Sequence, residues 1–273
     1  MNKSEYFELV KSYKLLANKS LGQNFLIDSD KAESIVSKLD INEDDNVLEI
    51  GAGLGSLSYF LTKSKGHITL IDVDDNMVNF LSEHLDNGAN IMVKRQNIFK
   101  EDILNYSKIV GNLPYYITSG IIEYILLNAK NVELIVLMVQ REVYFRLTDK
   151  KEVTPLTLLL NYVSSISSCI NVGRNSFAPI PHVDSAYFVL TPNENIKNEE
   201  NEALYKMMSK IFLHRRKTIL NCLASLIGNK EEATKLLEEC SASLSARPEQ
   251  LNIKFYLKLL NLLKSSNFIS TIM

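Results

Sequence analysis

Val47-Leu48-Glu49-Ile50-Gly51-Ala52-Gly53-Leu54-Gly55 is the stretch on which the fold turns. A short, mainly apolar run meets three glycines at alternate positions, and Ser56–Lys63 then continues at helical spacing. The pattern predicts a buried strand, a glycine turn and a helix. Such a turn lets the backbone come close to a nucleotide-like ligand. The spacing also discriminates. A dinucleotide fingerprint needs its third glycine at the position of Ser56, whereas here it falls one residue earlier, at Gly55. That shift disfavours a pyrophosphate ligand.

Outward from this point the chain alternates. Expected strands are Asn46–Ile50, His67–Ile71, Asn90–Lys94, Lys108–Gly111 and Val132–Val139, separated by helical segments at Ser56–Lys63, Asn76–His84 and Ile117–Leu126. Alternation of this kind predicts an α/β fold, a mostly parallel sheet with helices on both faces. An amphipathic segment at about Ser4–Leu16 and a helix from about Asp28 or Ser29 precede it, and Leu134–Val139 reads as a central strand. Leu156–Leu160 reads as a buried helix. After a Pro-bearing loop and one further strand, Ala186–Leu190, the acidic, Asn-rich stretch Asn193–Asn201 opens a region of helices without strands: Ala203–Leu213, Thr218–Ile227, Lys230–Glu239 and Glu249–Leu263. Two domains are therefore expected, 1–192 and an all-helical 193–273.

With 46% hydrophobic residues among 273, the composition is that of a core-forming chain. Cys169, Cys222 and Cys240 are far apart, and so are the four histidines, which points to neither a disulfide framework nor a zinc site, and no metal is expected. Lys3, Glu5, Glu8 and Lys11 interrupt any apolar signal core, and no run reaches the roughly 18 apolar residues of a membrane span. A reduced cytoplasmic setting is the expectation. The net charge of −2 attracts no polyanion globally. Nucleic-acid binding would have to rest on local patches, of which Lys206, Lys210, His214, Arg215, Arg216 and Lys217, read as one helical stretch, is the clearest. A solvated helix face accounts for the same run.

Further strand ends add chemistry in order. Asp72 follows the glycines by about 20 residues, where a carboxylate is placed to meet both ribose hydroxyls, and Gln96-Asn97-Ile98 offers an acceptor for an adenine N6 amine. Asp74 and Asp75 read as caps of the next helix. The strand Ile109-Val110-Gly111 then runs into Asn112-Leu113-Pro114-Tyr115. An exocyclic amine conjugated to a base ring is a poor nucleophile. An Asn side-chain oxygen and a backbone carbonyl beside or at the proline can accept its two N–H bonds and favour a tetrahedral nitrogen, while Tyr115 gives the ring a stacking face.

These motifs resemble those of the small-subunit (16S) ribosomal RNA adenine N6,N6-dimethyltransferase family. The resemblance is carried by Leu21-Gly22-Gln23-Asn24-Phe25-Leu26, the glycine stretch, Gly111–Tyr115, Phe177-Ala178-Pro179-Ile180-Pro181-His182-Val183-Asp184-Ser185, Arg215-Arg216-Lys217-Thr218 and Arg247-Pro248-Glu249. It implies a class I S-adenosylmethionine-dependent methyltransferase (Rossmann-like) domain with a small all-helical C-terminal domain that docks on RNA. It also implies transfer of two methyl groups to N6 of each of two adjacent adenosines near the 3′ end of small-subunit RNA, within an immature 30S particle, by a monomer.

The resemblance further implies that Asn24, Leu26, Gly51, Gly53, Asp72, Asn97 and Asn112 line the cofactor. Asn112, Leu113, Pro114 and Tyr115 would hold the target base, Phe177 would be a second stacking face, and Arg215, Arg216 and Lys217 would contact RNA. Two positions depart from the family pattern: Asp72 stands where Glu is common, and Asn97 where Asp is usual. A neutral acceptor is weaker than a charged one, so modest cofactor affinity is expected. Three other functions compete: a large-subunit rRNA adenine methyltransferase of the antibiotic-resistance branch, an assembly factor whose catalysis is secondary, and a nicotinamide oxidoreductase. Leu113, where the resistance branch typically has Ile, and Arg247-Pro248-Glu249 favour the small-subunit group.

Overall fold

The computed structural model describes residues 2–13, 23–86, 88–149, 151–266 and 268. Leu21 and Gly22 of the first motif, and the end of the Ser4–Leu16 segment, lie outside the described residues. The chain divides into two compact units, 1–146 with 165–193, and 147–164 with 194–273. The sequence division placed 147–164 in the first part. In the structure this segment groups with the C-terminal helices, so the helical unit is built from two stretches of chain.

The first unit opens with α1 (Lys3–Ser12), set by a capping box: Asn2 Oδ1 accepts from the Glu5 N–H at 3.0 Å and Glu5 Oε2 accepts from the Asn2 N–H at 2.9 Å. Its spacing buries Tyr6, Phe7 and Val10. A two-residue strand, β1 (Phe25–Leu26), precedes α2 (Ser29–Val36), which Asp28 caps. Then come β2 (Asn46–Ile50), α3 (Ser58–Leu61), β3 (His67–Asp72), α4 (Asp75–His84), β4 (Ile91–Arg95), β5 (Lys108–Asn112), α5 (Thr118–Asn128), β6 (Leu134–Gln140) and α6 (Arg141–Thr148). Asp74 is the cap of α4, its side chain accepting from the Asn76 N–H.

A seven-stranded sheet has the order β4-β3-β2-β5-β6-β9-β7, where β7 is Ser164–Val172 and β9 is Ser185–Pro192. From β2 the chain builds outward through β3 and β4, then returns to build β5 and β6 on the other side, all in parallel. The switch in direction lies between β2 and β5, where the C-terminal strand ends part and leave a crevice. β9 runs antiparallel to β6. The inner strands are mainly apolar because both faces are covered: Val47, Leu48, Ile109 and Val110 are fully buried, with Glu49 and Lys108 as the buried charged exceptions. Gly111 lets β2 and β5 close up, since a Cβ there would lie 2.8 Å from the Ile50 carbonyl oxygen.

The elements β1, α6, β7 and β8 are not among those expected, and two of them bear on the sheet. β7 is largely exposed along Ser165–Ile170 at the sheet edge, so its polar sequence lacks the apolar run of a central strand. The second is β8 (Phe177–Ala178), which pairs antiparallel with β1 in a separate two-stranded sheet, Leu26 opposite Phe177.

The helical unit contains α7 (Pro155–Val163), α8 (Asn201–Phe212), α9 (Ile219–Ile227), α10 (Lys230–Glu239) and α11 (Ile253–Ser265). Its ends are locally encoded: Thr154 caps α7 ahead of Pro155, Thr218 caps α9, and Gly228 ends α9 at φ +73° before Asn229 caps α10. Leu204, Met208, Leu223, Leu237, Tyr256 and Leu260 form part of its buried interior. Among the described residues no helix is long and apolar enough to cross a membrane.

Candidate active site

The crevice at the switch point is a cavity of about 360 Å³, within the range of small-ligand sites. Its floor is the turn after β2. Gly51, Gly53 and Gly55 all have positive φ (+67°, +56° and +73°), a conformation that L side chains adopt at a cost. The Gly51 and Ala52 N–H groups both donate to the Ile71 carbonyl, at 2.9 and 3.1 Å, which ties the turn to β3. A Cβ on Gly55 would collide with the Tyr6 hydroxyl. That hydroxyl donates to the Leu54 carbonyl at 2.8 Å, so α1 braces the turn from behind.

Asp72 ends β3 with both oxygens engaged: Oδ2 accepts from the Gly53 N–H at 2.8 Å and Oδ1 from the Asp74 N–H at 3.0 Å. Burial pushes its carboxyl above the ordinary value, and the backbone N–H groups of Asp74, Gly53 and Val73 act against that rise. Each carboxylate oxygen can accept a second bond, so ribose hydroxyls remain within its capacity. Glu49, one strand over, is fully enclosed. Burial pushes its carboxyl up to about 8, and the Ser58 hydroxyl donates to Oε2 at 2.6 Å.

Asn97 lines the cavity, but its Oδ1 accepts from the Phe99 N–H at 3.0 Å and thereby caps the 3-10 turn Ile98–Lys100. Part of its acceptor capacity is therefore spent on the backbone. Val73 and Phe99, 46% and 43% exposed, add apolar lining on the same side. These two are site residues that strand-end reasoning passed over.

Opposite them, Asn112 ends β5. Its amide Nδ2 donates to the Asn24 carbonyl at 3.2 Å, which fixes the amide orientation and leaves Oδ1 without a partner among the described residues. The Pro114 carbonyl already accepts from the Ile117 N–H and the Thr118 hydroxyl, at 3.3 and 2.9 Å. Leu113 carries the backbone acceptor left by the motif. The Tyr115 hydroxyl meets Ser185 Oγ at 2.8 Å, anchoring the ring, and burial raises the phenol above its ordinary value. Asn24 and Leu26 complete the wall, and Gln23 is held by a 2.9 Å bond from Nε2 to Asp74 Oδ2.

Ten expected site residues thus share one cavity: Asn24, Leu26, Gly51, Gly53, Asp72, Asn97, Asn112, Leu113, Pro114 and Tyr115. Phe177 is not among them. It is 1% exposed, packs in the core beside Phe25 and Leu26, and its backbone is committed to the pairing with β1. Of the aromatic rings that line the cavity, Tyr116 is the most exposed, at 61%. Arg215, Arg216 and Lys217 belong to the helical unit, all exposed, and α8 ends at Phe212 before reaching them. They occupy the turn between α8 and α9, not a helix face.

The chain matches ribosomal RNA adenine dimethylase over residues 14–264. It belongs to that family. A ribosomal RNA small subunit methyltransferase A from Levilactobacillus brevis is 34% identical, covering 93% of this chain and 92% of the relative. The protein of the same description from Pediococcus pentosaceus is 33% identical over 93% and 92%. Two solved structures share the fold: a dimethyladenosine transferase from Plasmodium falciparum (TM-score 0.73, 24% identity, 87% of this chain and 96% of that one) and the 23S rRNA methyltransferase ErmE (TM-score 0.64, 23% identity, 88% and 100%). The ribosomal RNA adenine dimethylase assignment makes S-adenosylmethionine the cofactor, and the cavity fits it. A glycine floor without side chains, a buried carboxylate at Asp72 and the apolar faces of Val73 and Phe99 suit a nucleoside with a charged tail.

Proposed function

We propose that this protein transfers methyl groups from S-adenosylmethionine to N6 of two adjacent adenosines near the 3′ end of small-subunit ribosomal RNA, acting as a cytoplasmic monomer on an immature 30S particle. The observation that carries this reading is the placement of Asn112-Leu113-Pro114-Tyr115 on the wall of the same cavity whose floor is the glycine turn. Donor and acceptor sites then share one enclosed space.

Bound S-adenosylmethionine supplies an activated methyl on a sulfonium. The residues of the chain have to position the amine. Asn112 Oδ1 and the Leu113 carbonyl accept the two N–H bonds of the target, drawing the nitrogen lone pair out of conjugation with the ring. Tyr115, its hydroxyl held by Ser185, gives the base a fixed face to stack on. Stacking of this kind returns about 1–3 kcal/mol per base, against the few kcal/mol that leaving the RNA stack costs. Tyr116 at the rim takes the place first assigned to Phe177. The helical unit, beginning near residue 193 and supplemented by 147–164, docks on RNA through Arg215, Arg216 and Lys217.

The curated relatives at 33–34% identity carry small-subunit descriptions, which supports this substrate over the large-subunit alternative. The test is methylation of small-subunit RNA from cells that lack the modification, followed by mapping. Two adjacent dimethyladenosines near the 3′ end are expected, and methyl groups on large-subunit RNA alone would overturn the assignment.

A further inference from the structure

A second, open groove lies on the first unit outside the catalytic cavity, between the start of α6 and the loop that leads into β9. Arg141, Phe145, Arg174 and His182 line it, together with Glu142 and Asp184, and all are exposed. Phe145 keeps 50% of its surface in solvent, and the Arg141 guanidinium sits 5.3 Å from its ring centroid. A half-exposed ring beside a cation presents a flat face suited to a nucleobase.

The groove is held in shape by Asp184. Its side-chain Oδ1 accepts from the Arg174 N–H at 3.0 Å and its carbonyl accepts from the Arg141 N–H at 2.9 Å. One residue thus pins both arginine-bearing segments by their backbones and takes up neither guanidinium group. Neither takes a carboxylate partner among the described residues. The groove also adjoins the reaction site. Ser185, which holds the Tyr115 hydroxyl, follows Asp184 directly, about 3.8 Å along the chain.

We propose that this groove takes an unpaired nucleotide of the RNA substrate next to the adenine that enters the cavity, its base against Phe145 and its phosphate between Arg141, Arg174 and His182. The inference rests on the reading of an RNA adenine as the methyl acceptor. It assigns the catalytic unit its own grip on RNA, separate from the basic turn of the helical unit.

The full chain, titrated with a transcript of the small-subunit RNA 3′ end at several salt concentrations, tests it. Phe145→Ala should weaken RNA binding roughly ten-fold with no change in salt slope, and Phe145→Tyr should restore it. Arg141→Gln with Arg174→Gln should reduce the slope of log affinity against log salt by about 1.4, as loss of two single-strand phosphate contacts requires. S-adenosylmethionine affinity and the thermal midpoint should stay at the parent values in all three. Parental RNA affinity and slope in the variants would overturn the groove assignment. So would a defect seen only on ribosomal particles and not on naked RNA, which would give the groove to a protein neighbour. A parent protein that methylates no RNA adenine would overturn the substrate reading itself, a separate outcome.

Discussion

The Asn112 side-chain amide donates to the Asn24 carbonyl at 3.2 Å. An amide has one donor end and one acceptor end, so committing Nδ2 to a carbonyl determines where Oδ1 points. A segment 88 residues earlier in the chain therefore orients the group proposed to receive the target amine. Gln23, bonded to Asp74 at 2.9 Å, anchors the same segment on the cofactor side.

Removing that acceptor should be costly for the reaction and cheap for the fold. Asn112→Ala is expected to lower methyl transfer about 10²–10³-fold, the usual effect of losing one aligned polar group at a reacting centre. Single-turnover kinetics with labelled cofactor, run beside a thermal melt, measure both sides. Turnover near the parent rate would remove Asn112 from the amine clamp.

Asn97 makes the opposite case, because its oxygen already caps the Phe99 N–H. Asn97→Asp keeps that cap with one oxygen and offers the cavity a second, charged one. Calorimetric titration should show S-adenosylmethionine binding held or strengthened, since charge-assisted bonds are roughly twice as strong. A large loss of affinity would mean that Asn97 presents its N–H donors to the ligand.

Glu49 bears on stability. Its carboxyl is pushed up to about 8 by burial, from an ordinary value of 4.5. The folded protein thus binds this proton more tightly than the unfolded chain does. Its contribution is fully present below about 4.5 and is lost as the pH rises through about 8. Glu49→Gln, which keeps an acceptor for the Ser58 hydroxyl, should flatten the fall in stability across that window. Denaturant melts at several pH values should show the variant gaining on the parent toward pH 8; parallel curves would sink the assignment.

The basic turn can be tested by charge reversal. Changing Arg215, Arg216 and Lys217 to Glu should weaken binding to small-subunit particles and flatten its salt dependence, because each phosphate contact releases a counterion. Cofactor affinity should hold. Equal slopes and affinities for variant and parent would leave the cluster as a solvated turn.

Much of the site was legible because its signals are local. A strand that stops at a glycine turn, an acidic residue at the next strand end, and Asn-Leu-Pro-Tyr after a short apolar run each declare themselves within about ten residues. Helix starts are similar, since Asn2, Asp28, Asp74, Thr218 and Asn229 cap through bonds to residues only two or three positions on. The basic cluster shows the limit: Lys206 to Lys217 reads as one helical stretch, yet α8 ends at Phe212 and the cluster continues across a turn that is charged like the helix before it.

From the sequence alone came the succession of strand ends along the chain, the mostly parallel sheet, the glycine turn and the Asn-Leu-Pro-Tyr motif, for strand, turn and helix signals are written in neighbouring residues. Tertiary structure alone decided which partners those residues meet. Phe177 is buried because Leu26, far away in sequence, pairs with it. Asn97 spends its oxygen on a 3-10 turn, 147–164 joins the C-terminal helices, and the exposed β7 is a strand only by its place at the sheet edge. Burial, strand pairing and the choice of hydrogen-bond partner depend on surfaces that meet only after the chain has folded, and no local pattern encodes them.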